Sequence, residues 1–107
     1  MNEYDFTSDT NYKYLSIENR ILENYISTVN SYTIERDDII LNTIRKNLPQ
    51  VIRILELSDK INKSLIEELI KTEFLDILEH FRILYPETIK YIEIIESKLC
   101  SIVGVKI

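Results

Sequence analysis

The chain of 107 residues contains one glycine, two prolines, one cysteine, one histidine, no tryptophan and no alanine. So little glycine and proline leaves few residues able to make the tight turns of a β-sandwich or barrel. That inventory also excludes a glycine-rich phosphate loop, a zinc knuckle and a disulfide framework. Cys100 has no internal cysteine to pair with, which fits a reducing compartment. No apolar run exceeds three or four residues, whereas a bilayer span needs about 20. The opening MNEYDFTSDTNY has neither the basic stretch nor the apolar stretch of a secretory signal. These absences predict an intracellular, soluble chain, in the cytoplasm or nucleus, with no membrane partner.

Thirteen basic residues against eighteen acidic ones give a net charge of −5. A duplex-binding domain carries a basic face and a high pI, so nucleic acid is disfavoured as the partner. An acidic balance fits solubility and encounter with a basic protein. The charge is uneven along the chain. Residues 1–12 hold Glu3, Asp5 and Asp9 with no base, while 34–53 come out near +1 and 54–107 near −3. The twenty isoleucines, eight asparagines and seven tyrosines are the composition that codon drift in an AT-rich genome produces, as in a virus, a parasite or a low-GC bacterium.

Apolar residues make up 45% of the chain and charged residues 29%, which is the composition of a globular domain. The expected organisation is a polar, mobile N-terminus over 1–10 and one helical domain over 11–107. Leu15, Leu22, Tyr25, Ile26, Val29 and Tyr32, flanked by Ile17 and Ile21, recur at helical spacing. They predict a helix near 12–31 capped by Asp9 or Asn11, with Asn30, Ser31 and Thr33 breaking it and Thr33 capping the next. Ile34, Ile39, Ile40, Leu41 and Ile44 predict a second helix near 34–47. Proline disfavours helix in the residue before it and is welcome at the first helical position, so Pro49 separates that helix from a third at 49–58. Ser64-Leu-Ile-Glu67 has the form of a capping box and opens a run to Leu84, read either as one helix or as two broken near Thr72. Tyr85-Pro86 repeats the stop-and-start device before a last helix near 86–102, with Gly104 as its left-handed cap.

The fold predicted is all-α: a compact bundle or short right-handed stack of four to six short helices. Isoleucine favours strands, but strict alternation is rare here and the caps stand where helices need them. The expected core is Leu22, Ile26, Ile40, Ile44, Ile52, Leu55, Leu69, Ile70, Phe74, Ile77, Leu78, Phe81, Ile92, Ile95 and Leu99.

The sequence offers little for chemistry. A carboxylate-bridged di-iron bundle needs Glu-x-x-His on two helices, but the residue three before His80 is Ile77 and there is no second histidine. Cys100 lies far from that histidine in an apolar helix end, the setting of an inert thiol. The pairs Glu67-Glu68 and Glu93/Glu96 have the spacing of a solvated helix face. No catalytic residue, metal or cofactor is expected. Arg45-Lys46 with Arg53, and Lys60 with Lys63, are short basic clusters of a solubilising kind. Tyr85, beside a proline turn, and Tyr91, off the Ile89/Ile92/Ile95 stripe, are the aromatic candidates for contact with a partner.

From Leu69 to Val103 the chain resembles the N-terminal helical domain of transcription elongation factor TFIIS and its elongin A-type relatives. The matching positions are Leu69-Ile70, Thr72, Phe74, Leu78, Phe81 and Arg82, then Ile94-Ile95, Leu99 and Ile102-Val103 with a one-residue gap. The family's tryptophan is absent, its glycine is replaced by Leu75, and its late run of lysines is missing. Two successive helix units, 47–71 and 72–102, also look like armadillo-type repeats, whose stacks make protein-binding surfaces. The resemblance implies a non-catalytic, transcription-associated module that recognises short acidic-hydrophobic segments.

Two readings of function follow. In the first, a protein-interaction module accepts a helix or peptide in a hydrophobic groove between its last helices, through an exposed patch around Phe74, Tyr85 and Tyr91. Asp76, Glu79 and Arg82 complete the expected partner-binding set. In the second, a small acidic inhibitor (an immunity protein, antitoxin or viral antagonist of a host protein) meets a basic target through Glu67, Glu73, Asp76, Glu79 and Glu87. A homodimer that seals one apolar stripe is compatible with either.

Overall fold

The computed structural model describes the backbone of residues 4–57, 59 and 61–104, and side chains from Ile17 onward within those ranges. Six α-helices follow one another, with no strand among the described residues: α1 Tyr4–Glu35, α2 Asp38–Lys46, α3 Leu48–Glu56, α4 Lys63–Lys71, α5 Phe74–Leu84 and α6 Ile89–Val103. A 3-10 turn, Pro86–Thr88, leads into α6. The fold is the expected all-α compact bundle.

The proline and glycine signals act where they stand. Pro49 occupies the first turn of α3, directly after α2, where its missing N–H would have had no partner in any case. Leu84 ends α5 ahead of Tyr85-Pro86. Gly104 takes φ +73° after α6 and donates its N–H to the Cys100 carbonyl at 2.8 Å, the left-handed cap that glycine adopts without steric conflict.

The first helix corrects the reading on both sides. It begins at Tyr4, so Asp9 and Asn11 lie within it rather than capping it, and the backbone of 4–10, expected to precede the helix, is part of it. Residues 1–3 lie outside the described residues, as does the side chain of Leu15. At the other end the helix runs through Asn30, Ser31 and Thr33 to Glu35. The Thr33 hydroxyl does not cap a following helix; it donates to the Val29 carbonyl at 3.2 Å, one turn back, which lets a threonine ride inside a helix. The stop is Arg36, with φ +53° and its N–H on the Tyr32 carbonyl at 2.8 Å. Asp37 then caps α2, accepting the Ile39 N–H at 2.9 Å.

The capping box at Ser64–Glu67 does not form. Asn62 is the cap of α4, accepting the Ser64 N–H at 3.1 Å. In a capping box the residue at the third helical position would reach back to the cap's own N–H. Here Asn19, on α1, accepts that N–H at 2.9 Å. The run 64–84 is two helices. Thr72 divides them, donating its hydroxyl to the Leu69 carbonyl and accepting the Phe74 N–H at 3.1 Å.

Packing follows from these boundaries. α1 lies against α2, α3 and α4, while α6 lies against α3, α4 and α5. One continuous apolar cluster fills the space between, with Leu22, Ile44, Leu69, Phe74, Leu78, Phe81, Ile92, Ile95 and Leu99 fully buried. Of the expected core only Ile40, Ile52 and Ile70 stay half-buried. Val29, Leu48, Val51, Ile54, Ile61 and Ile66 are buried as well. Thr88 is the one buried polar residue among those described, and its hydroxyl donates to the Tyr85 carbonyl at 2.7 Å. No helix among the described residues is long and apolar enough to cross a membrane.

Candidate functional site

The structure separates the six expected contact residues. Phe74 is fully buried at the start of α5, with its ring edge-on to Tyr25 at 5.5 Å. It belongs to the core and cannot form part of an exposed patch; the Thr72 break turns the start of α5 inward and carries Phe74 with it. Tyr25 is buried too, and its hydroxyl donates to the Ile44 carbonyl at 3.0 Å. Burial pushes this phenol well above the ordinary tyrosine range, because a phenolate there would lose its hydration.

Arg82 and Glu79 are tied to each other. The Arg82 Nε donates to Glu79 at 3.0 Å, its Nη2 donates to Glu96 on α6, and Glu93 stands 4.0 Å away. The half-buried guanidinium fixes α5 to α6, and three carboxylates converge on it. Asp76 is exposed on α5 and Tyr91 half-buried on α6, with the Lys90 ammonium 5.3 Å from its ring.

Tyr85 does stand at a site. Its ring packs edge-on to Phe81 at 5.8 Å on one side, and the Arg45 guanidinium lies 4.4 Å from its centroid on another. Around this pair the end of α1, the face of α2 and the end of α5 leave a groove of about 520 Å³, within the range of small-ligand and peptide pockets. Tyr32, Asp38 and Asn42 line it along with Arg45, His80 and Tyr85. Its apolar walls are Ile39 and Leu84, 75% and 50% exposed.

The floor of the groove is electrostatically unfinished. Arg45 donates one Nη to the Asn42 carboxamide, but its Nε is out of water and meets no acceptor among the described residues. Neither Arg45 nor Asp38 takes part in an ion pair among the described residues. The guanidinium is therefore held by an aromatic face, with donor capacity to spare.

Tyr85 was legible from its proline turn; the rest of the groove was not. Ile39 reads as part of the apolar stripe of α2, yet Ile39-Ile40-Leu41 step about 100° apart around a helix, so the three cannot share one inward face. That fan is the available signal. Arg45 reads as one of a solubilising pair with Lys46, and nothing local places it beside Tyr85, forty residues on. His80 is exposed and lines the groove. Cys100 is half-buried on α6.

In comparisons with family models, curated proteins and solved structures, nothing matches this chain.

Proposed function

We propose that the chain is a non-catalytic protein-interaction module that takes a short helix or peptide in the groove between α2 and α5. The observation that carries this reading is the pair of water-exposed apolar walls, Ile39 and Leu84, flanking a half-buried cation on an aromatic ring. Exposed apolar side chains grouped at a concave site mark a place where a partner removes them from water. The occupant lies between α2 and the end of α5, not between the last helices as the sequence suggested. The resemblance of residues 69–103 to the TFIIS N-terminal domain supports a transcription-associated setting for such a module.

The acidic-inhibitor reading has less to work with. Of its five carboxylates, Glu73 is engaged by Arg36 at 3.0 Å and Glu79 by Arg82 at 3.0 Å, leaving Glu67, Asp76 and Glu87 for a basic target.

Selection of a displayed random-peptide library on the full chain tests the proposal. Enriched peptides that bind the wild type and lose binding to Ile39→Asp and Leu84→Asp support it. Peptides indifferent to both substitutions, or weakened instead by charge reversal at Asp76 and Glu79, overturn it in favour of the acidic face.

A further inference from the structure

We infer that the groove's occupant, when the chain is alone, is the same groove of a second copy, with two α2 helices packed antiparallel across a two-fold axis. The inference rests on the preceding reading of the groove as a docking surface and names what docks there. Asp38 and Arg45 are seven residues apart on α2, about 10.5 Å along the axis and on nearly the same face. Both line the groove, and neither has an ion-pair partner among the described residues.

A two-fold interface is self-complementary: whatever residue i meets, that residue in the other copy meets i. Antiparallel α2 helices centred near Asn42 therefore bring each Asp38 against the other copy's Arg45, twice over. The part of each Arg45 guanidinium that faces the groove gains a carboxylate, and each Asp38 gains a cation. The same approach covers Ile39 and Leu84. Two further exposed apolar residues stand close in sequence, Ile34 two positions past Tyr32 and Ile83 directly before Leu84. A foreign partner then competes with self-association for one surface.

Sedimentation velocity over a dilution series of the full chain tests this with wild type, Asp38→Arg, Arg45→Asp and an equimolar mixture of the two variants. The wild type is expected to pass from monomer to dimer as concentration rises. Each single variant opposes like charges and weakens association by about a hundredfold. Their mixture recovers the dimer as a heterodimer, because the cations of one variant face the carboxylates of the other. Ile39→Asp, at a position too exposed to disturb folding, also dissociates the dimer, and far-UV circular dichroism verifies that each variant is folded. A wild type that stays monomeric while binding a selected peptide assigns the groove to a foreign occupant and overturns the inference. So does a dimer that tolerates Ile39→Asp, or a mixture that fails to recover. Peptide capture by the wild type, measured at dilutions where sedimentation shows it monomeric, reports on the docking reading alone, so either can fail without the other.

Discussion

The carboxamide of Asn19 on α1 accepts the backbone N–H of Asn62, 43 residues later, at 2.9 Å. Asn62 in turn caps α4 through its own side chain. The first helix thus completes the N-terminus of the fourth, a task usually done from within the capped helix. The site is exposed, so water can replace part of what is lost on mutation. Asn62→Ala is expected to cost about 1 kcal/mol, and Asn19→Ala about 0.5–1.5 kcal/mol. Because the two share one network, the double variant should cost less than the sum. Urea denaturation of the four proteins measures this coupling; strict additivity would show that the two asparagines act independently.

Tyr25 makes stability depend on alkaline pH. Its phenol is buried, so the folded-state value lies above the unfolded one, which is about 10. A group whose folded value is raised contributes its full stability below the unfolded value. That contribution is lost as pH climbs past about 10, since the unfolded chain then releases a proton that the folded one retains. Wild type should lose roughly 1.4 kcal/mol per pH unit from this group above that point. Tyr25→Phe removes the effect, at a cost near neutrality of about 0.5–1.5 kcal/mol for the lost hydrogen bond, since the Ile44 carbonyl still accepts the Asn47 N–H at 3.3 Å. Chemical denaturation of both proteins from pH 8 to 11 compares the slopes, and parallel curves would contradict the assignment.

Phe81 and Leu78 are fully buried on α5, facing the common cluster. Truncating either to alanine is expected to cost about 2–5 kcal/mol, since the cavity left behind adds to the lost transfer energy. That is a large share of the roughly 5–15 kcal/mol available to a domain of this size. Midpoints of denaturant unfolding read the loss directly. A cost below 1 kcal/mol would show that neighbouring helices collapse into the space.

How much of this was legible beforehand depends on where each signal resides. Pro49, Pro86 and Gly104 act through their own backbone geometry. The starts and stops at Pro49 and Gly104 fall within a residue of the expected ones, while Pro86 opens a 3-10 turn and α6 itself starts at Ile89 rather than 86. Thr72 acts through its hydroxyl on atoms two and three residues away, and so the break in 64–84 was visible as an alternative. The end of α1 was not, because its stop is an arginine in a left-handed conformation, a residue type with no such signature. The capping box failed for a different reason: Asn62 stands two residues ahead of Ser64, and the completing acceptor comes from another helix. The groove is the extreme case. Tyr32, Arg45 and Tyr85 come from three separate segments, and only packing decides that Phe74 turns inward while Ile39 stays in water.

Arg36 offers the sharpest test of that hidden stop. At φ +53° its Cβ crowds the backbone, a strain that glycine does not feel. Two contacts accompany the conformation: Nη2 donates to Glu73 at 3.0 Å, and the guanidinium lies 5.2 Å from the Tyr32 ring. The hydrogen bond this guanidinium donates to Glu73 holds its pKa above the ordinary value. Both contacts are on the surface, where ion pairs contribute little and salt screens them. Relief of backbone strain should therefore offset their loss. Arg36→Gly is expected to melt no lower than wild type, whereas Arg36→Val, β-branched and intolerant of positive φ, should melt several degrees lower. Glu73→Gln should lower the melting temperature slightly in dilute buffer and not at all at high salt. Thermal unfolding followed by circular dichroism at two ionic strengths separates the effects. A glycine variant that melts well below wild type would make the arginine's contacts, not its backbone, what holds the α1–α2 corner.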